Sequence, residues 1–236
     1  MATLYIVATP IGNLNDLSMN AIETLGSVDY ILAEDTRRFQ KLRSHIIQSF
    51  PDTEINGQII RYDEHTEQRK TPHVIEMLDQ GQDIALVSDA GMPLISDPGT
   101  TLVRAVWEFT PHHVTVIPGP SAVSTALAIS GLPPIPHMFL GYFPRKGLHS
   151  IIKNSLKVST IKRTTFVAFE SPHRLLKTIQ SFDDFGNENN EGISLVVLFE
   201  LTKKHERRYA GTPTELVEVF ASEQPKGECV VLWTIG

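Results

Sequence analysis

Short apolar runs alternate with segments of helical spacing through the first half of the chain. Residues 3–8 (TLYIVA), 30–33, 58–62, 83–87 and 113–117 each read as a short, mostly buried strand. Between them, residues 18–25, 37–46, 72–78 and 98–109 place apolar side chains at helical spacing. Strands that alternate with helices predict a parallel sheet covered on both faces. Four pairs mark helix starts: Thr71-Pro72, Asp97-Pro98, Ser171-Pro172 and Thr212-Pro213 each set a capping side chain before a proline. Thr212 and Glu215 also have the spacing of a capping box.

After Ile117 the pattern changes. Pro118-Gly119-Pro120-Ser121 forms a turn that opens a small-residue helix over 121–130, and residues 131–136 (GLPPIP) read as a stiff linker. Later strands are expected at 138–141, 164–169, 193–199 and 228–235, with helices near 151–156 and 172–182. Residues 183–192 (DDFGNENNEG) read as a polar, loop-like tract. The pattern predicts two α/β domains, 1–117 and 118–236, meeting near 117–135 with a ligand cleft between them.

The composition narrows the class. The 236 residues are 41% hydrophobic and 20% charged, as in an ordinary soluble globular protein. A single cysteine, Cys229, excludes an internal disulfide and fits a reducing compartment. The start, Met1-Ala2-Thr3-Leu4, lacks a signal-peptide pattern, and no stretch reaches the roughly 20 apolar residues of a membrane span. A cytoplasmic protein is expected. The net charge of −6 argues against a chain that coats nucleic acid, so any such contact must come from a local cluster of cations.

Several chemistries are excluded by what is missing. No G-x-G-x-x-G follows the first strand, no Gly-Lys pair occurs for a Walker A loop, and neither H-E-x-x-H nor C-x-x-C is present. The nine histidines are scattered, and no metal is expected. What remains are four polar tracts at the carboxyl ends of expected strands, where open α/β sheets bind ligands. They are Thr9-Pro10-Ile11-Gly12-Asn13, Ala33-Glu34-Asp35-Thr36-Arg37, Ser88-Asp89-Ala90-Gly91-Met92-Pro93 and Pro118-Gly119-Pro120-Ser121.

These tracts, with FESPHR and ELTKKHE further on, resemble in order the motifs of the 16S rRNA ribose 2′-O-methyltransferase family, one of the tetrapyrrole-methylase-like methyltransferases. The resemblance runs from residue 3 to about residue 233. It implies a two-domain α/β fold with a mainly parallel N-terminal sheet and a mixed C-terminal one. It also implies S-adenosylmethionine in the cleft between the domains, a homodimer, and 16S rRNA in the small ribosomal subunit as substrate. Carried over, the cofactor contacts are Pro10, Asp89, Ala90, Gly91, Pro93, Ser121, Ala122, Phe169, Leu201 and Thr202, with the Gly227-Glu228-Cys229 strand start as a further candidate. Backbone exposed by Gly, Ala and Pro suits a zwitterionic tail and an adenine edge. The sulfonium favours carbonyls and aromatic faces.

Methyl transfer from a sulfonium needs an aligned hydroxyl and a proton acceptor. Glu34, Asp35, Glu170 and His173 are the catalytic candidates, with Glu64, His65, Glu67 and Glu206 behind them. Arg37, Arg174, Lys203 and Lys204 are expected to position phosphates. Three departures from the family pattern bear on the substrate. The histidine-rich stretch reads Asp63-Glu64-His65-Thr66-Glu67, the tract after Arg145-Lys146 reads Gly147-Leu148-His149-Ser150, and the chain stops at Gly236, where many members continue. Two alternatives stay open: a methyltransferase of this fold acting on a small molecule such as a tetrapyrrole, and a non-catalytic S-adenosylmethionine-binding module.

Overall fold

The computed structural model describes residues 1–223 and 226–236. The chain forms two compact units, Met1–Ser121 and Ala122–Gly236.

The first unit holds strands β1 (Thr3–Val7), β2 (Tyr30–Ala33), β3 (Gln58–Arg61), β4 (Ile84–Val87) and β5 (His113–Ile117). They form one parallel sheet in the order β3-β2-β4-β1-β5. Helices α1 (Met19–Ser27) and α2 (Thr36–Ser49) follow β1 and β2, while α3 (Glu67–Asp79) and α4 (Thr100–Phe109) follow β3 and β4. Alternate strand residues face opposite ways. Val7, Ile31, Ala85 and Val87 pack with Ile22 and Leu25 of α1 and Phe39, Leu42 and Ile46 of α2. Leu4, Ile6, Leu32, Ile84 and Leu86 pack with Val74, Met77 and Leu78 of α3 and Leu102 and Val106 of α4. Strand β4 therefore lies between two strands, β2 and β1, whose chains leave toward the opposite face. Its carboxyl end is a topological switch point on both sides, the position where open sheets leave a crevice.

The second unit holds α5 (Ala122–Ser130), β6 (His137–Tyr142), α6 (Leu148–Ile161), β7 (Thr165–Glu170), α7 (Pro172–Asn189), β8 (Ile193–Phe199), β9 (Arg207–Gly211), α8 (Pro213–Ser222) and β10 (Cys229–Ile235). The sheet runs β6-β7-β10-β8-β9, with β6 and β7 parallel and the other pairs antiparallel. One face is a large core in which Phe166 and Phe143 stack on Trp233 at 5.4 and 5.3 Å, with Phe182 edge-on at 5.2 Å. Helix α5 packs against β10.

Five details differ from the sequence expectation. Helix α3 starts at Glu67, so Pro72 sits inside it, and its missing N–H leaves the Gln68 carbonyl without its helical donor. Helix α4 starts at Thr100 with Gly99 as its N-cap, not at Pro98. The carboxylate of Glu67 caps it from α3, accepting from Gly99 N at 3.1 Å and Thr101 N at 2.8 Å. The tract at 183–192 is mostly helix: α7 runs on to Asn189 because Phe182 and Phe185 extend its buried stripe, and Asn190 ends it in the left-handed region at φ 51°. Strand β9 has no counterpart in the apolar pattern, since only Tyr209 and Gly211 in it are even half-buried. The box at Thr212 and Glu215 forms as expected, whereas Ser171 heads α7 without a side-chain cap.

Candidate functional site

Because all five strands of the first sheet run the same way, its carboxyl edge gathers the four tracts side by side. Neighbouring strands lie about 4.8 Å apart. The tracts are tied directly. Thr9 and Gly91 exchange backbone hydrogen bonds of 2.9 and 3.1 Å, Ala8 N donates to Ile117 O at 3.1 Å, and the Thr9 hydroxyl donates to Ser88 O at 3.0 Å. Asp35 N donates to the Asp89 carboxylate at 3.0 Å, and Arg38 approaches the same carboxylate at 3.5 Å.

Glycine is needed where these tracts touch. Gly91 has φ +92°, and a Cβ there would meet Ile11 at 3.0 Å and Pro120 O at 3.5 Å. A Cβ on Gly119 would meet the Ala8 side chain at 2.9 Å. Beyond Gly91, Leu94 and Ser96 are held at φ 70° and 72°. Non-glycine residues in that region mark backbone over-determined by its surroundings, which is common at ligand sites.

The two carboxylates of the AEDTR tract differ sharply. Asp35 caps α2 and grips Arg37 through hydrogen bonds of 2.9, 3.1 and 3.0 Å, which hold its pKa down to about 2. Its lone pairs are committed and its basicity is low. Glu34 is half-buried and accepts no hydrogen bond from the described residues, while burial and the nearby carboxylates of Asp89, Asp97 and Asp63 raise its pKa above the ordinary glutamate range. A half-buried carboxylate of raised pKa, with its lone pairs uncommitted at a strand end, is the profile of a proton acceptor. Asp97 is raised by its own burial and by Asp89, against the Ser88 hydroxyl that donates to it.

The altered stretch at 63–67 is occupied structurally. Asp63 is buried and takes Arg61 at 2.5 Å and Thr66 N at 2.9 Å, and Glu67 is the α4 cap. Glu64 and His65 are exposed.

In the second unit, β7 and β8 end at the same edge of the sheet, where β10 begins: Cys229 pairs with both Glu170 and Phe199. Phe169, Glu170, His173, Arg174, Leu201, Thr202, Lys203 and Lys204 are gathered along that edge. Their charges are largely satisfied internally. The Glu170 side chain is 1% exposed and binds Arg174 at 2.5 Å, Ser171 N at 2.6 Å and the Thr178 hydroxyl at 2.6 Å. Arg174 also donates to Phe143 O at 2.8 Å. Lys203 bridges Glu200 at 3.1 Å and Glu228 at 3.0 Å, and Glu206 accepts from Thr202 N at 2.7 Å. A Cβ on Gly227 would collide with the Glu200 carboxylate, so this strand start also requires glycine. Glu200 and Thr202 hold φ values of 52° and 64°. Phe169 is edge-on to Phe139 at 4.9 Å and to Tyr142 at 5.3 Å. His173 and Lys204 are exposed. A cavity of about 320 Å³ lined by Ser130, Leu132, Ser194, Arg208 and Thr212 sits at the opposite edge of this sheet, and no candidate residue lines it.

Three sequence readings are thereby redirected. Glu170 is the buried anchor of α7, Arg174 is its counter-ion, and Lys203 is neutralised twice over. A strand-end charge in the sequence does not reveal whether the fold has already supplied its partner. Among the described residues no cluster of three or more His, Cys, Asp or Glu side chains has the form of a metal site, and no helix is long and apolar enough to cross a membrane.

The family described as Tetrapyrrole (Corrin/Porphyrin) Methylases matches residues 3–217. The chain is 36% identical over 233 residues to the Ribosomal RNA small subunit methyltransferase I of Thermotoga maritima, covering 98% of each protein. It is 39% identical over 235 residues to the Bacillus subtilis protein of that name, covering 98% of this chain and 75% of the other. Against the Synechocystis protein of that name the identity is 40% over 233 residues, with 98% and 79% covered. Among solved structures, the uroporphyrin-III-C-methyltransferase of Thermus thermophilus matches with a TM-score of 0.61 and 16% identity, over 98% of this chain and 94% of that one. At that identity the likeness concerns the fold alone.

Proposed function

Because the chain belongs to the tetrapyrrole methylase family, we propose that it is an S-adenosylmethionine-dependent methyltransferase of small-subunit rRNA, acting on the 2′-oxygen of a cytidine ribose. The observation that carries this reading is the near full-length identity of 36–40% to small-subunit rRNA methyltransferases.

The first unit's carboxyl edge fits such a cofactor. A ligand carrying a sulfonium and an ammonium suits a crevice bordered by Glu34, Asp89 and Asp97, whose mutual repulsion a cation relieves. Gly91 lets the tracts carrying Ile11 and Pro120 close together at that edge. Pro10, Asp89, Ala90, Gly91, Pro93, Ser121 and Ala122 are the proposed contacts there, and Phe169, Leu201 and Thr202 those made by the second unit. When bound, S-adenosylmethionine supplies the methyl group. Glu34 would take the proton of the ribose hydroxyl on its carboxylate as the oxygen–carbon bond forms and the sulfur–methyl bond breaks, the donor leaving as the neutral thioether S-adenosylhomocysteine. Asp89 holds the Glu34-Asp35 tract in place through Asp35 N and Arg38. The protein is proposed to work in the cytoplasm as a homodimer and without a metal ion, so calorimetry in EDTA should still register S-adenosylmethionine binding.

The test is tritium transfer from labelled S-adenosylmethionine to 30S subunits, followed by mapping of the labelled nucleotide. Label on a cytidine 2′-oxygen of 16S rRNA supports the reading. Label on a base, or on a tetrapyrrole and not on subunits, refutes it.

A further inference from the structure

The cations expected to touch phosphate are mostly tied up, yet one stretch of the chain gathers six others that are not. Between Glu108 and Glu170 there is no Asp or Glu for 61 residues, in a chain whose net charge is −6. All six Lys and Arg residues of that stretch fall between Tyr142 and Thr164: Arg145, Lys146, Lys153, Lys157, Lys162 and Arg163. Every one is exposed, and none forms an ion pair among the described residues.

The fold arranges them along one element. Helix α6 is 14 residues long, about 21 Å at 1.5 Å per residue. It buries Ile152 and Ser155 and packs Leu148, Ile151, Leu156 and Val158 against the core. Its outward face therefore carries Ser150, Lys153, Asn154, Lys157 and Thr160. Arg145-Lys146 precede the helix and Lys162-Arg163 follow it. A carboxylate does approach α6 from α7, that of Glu188, but it lies 3.8 Å from His149 and pairs with no lysine or arginine among the described residues. Unpaired cations over about 21 Å, interleaved with hydroxyl and amide groups, complement a phosphate backbone.

We infer that the outward face of α6, with its flanking Arg145-Lys146 and Lys162-Arg163 pairs, is the surface that holds the phosphate backbone of the RNA substrate. The inference rests on the rRNA methyltransferase reading above. It moves the phosphate contacts away from Arg174 and Lys203, which the fold uses internally.

Equilibrium binding to 30S subunits across a salt series, with S-adenosylhomocysteine present, provides the test. Replacing Lys153, Lys157, Lys162 and Arg163 together by Gln should flatten the slope of log K against log salt by about 3, at roughly 0.7–0.9 for each phosphate no longer neutralised. The charge-keeping variant K153R/K157R/K162R/R163K should retain the parental slope, and both should bind S-adenosylmethionine like the parent. An unchanged slope in the Gln variant, with the parent still methylating subunits, overturns the surface and leaves the function intact. Equal loss in the charge-keeping variant overturns the electrostatic argument. A parent that neither binds nor methylates subunits overturns the function itself, and this inference with it.

Discussion

The two sheet edges that carry the candidate residues solve opposite problems. At the carboxyl edge of the first sheet, parallel strands end in turns stitched by backbone hydrogen bonds, and one carboxylate, Glu34, sits among like charges with no donor from the described residues. At the corresponding edge of the second sheet, Glu170, Arg174, Glu200, Lys203 and Glu206 form closed internal networks. In sequence, AEDTR and ESPHR look alike: each follows a strand and opens a helix with an acid and an arginine. Only the first leaves a carboxylate unspent. A charged motif at a strand end is thus read by its satisfaction, not by its residue types.

The largest effect expected from this contrast lies in the second unit and is structural. Arg174→Ala strips the counter-ion from a buried carboxylate, and loss of one partner of such a pair costs about 3–5 kcal/mol. Chemical denaturation should show that loss, with partial recovery on adding Glu170→Gln. A variant as stable as the parent would mean the pair is not the anchor described. In the first unit the effect should be on rate. Glu34→Gln is expected to lower kcat by about 100-fold or more, the usual worth of a general base, with a much smaller loss of S-adenosylmethionine affinity from removing one of the three carboxylates that border the crevice. Gly91→Val should weaken S-adenosylmethionine binding by about tenfold or more, roughly 1.4 kcal/mol, since the side chain meets Ile11 and Pro120 at a left-handed position. Calorimetry giving parental affinity would move the cofactor elsewhere. Smallest of all is Asp35→Asn, which keeps a capping oxygen and loses only an exposed ion pair. Methyl transfer should stay within about threefold of the parent.

How far the sequence reaches follows the same line. Buried strands such as β4 (IALV) and β8 (ISLVVLF) are legible because burial leaves a continuous apolar run. The four tracts are legible because parallel strands must end together. The end of α7 is not, because Asp183, Asp184, Asn187, Glu188 and Asn189 mask a stripe carried by only Phe182 and Phe185. The start of α3 is hidden by Pro72, which normally opens a helix and here lies inside one. Among the site residues, Glu170 pairs with Arg174 of its own motif but also with Thr178, 8 positions away, and Lys203 pairs with nearby Glu200 but also with Glu228, 25 positions away, and the distant partner completes each network. Neither motif's own spacing encodes those distant partners. The contrast between Asp35 and Glu34 has a local half, the Asp35–Arg37 cap, and a non-local half supplied by Asp63, Asp89 and Asp97.

The most direct test of the contrast is the pH dependence of single-turnover methyl transfer to 30S subunits by the parent and by Glu34→Gln. Burial and neighbouring carboxylates raise the Glu34 pKa, and its active form is the carboxylate. The parent rate should therefore rise with pH through a limb displaced above the ordinary glutamate value, and fall as the pH drops through it. In Glu34→Gln the rate should be low and that limb absent. A variant that keeps the parental rate and the parental limb would contradict the account, and would place the proton acceptor on another group.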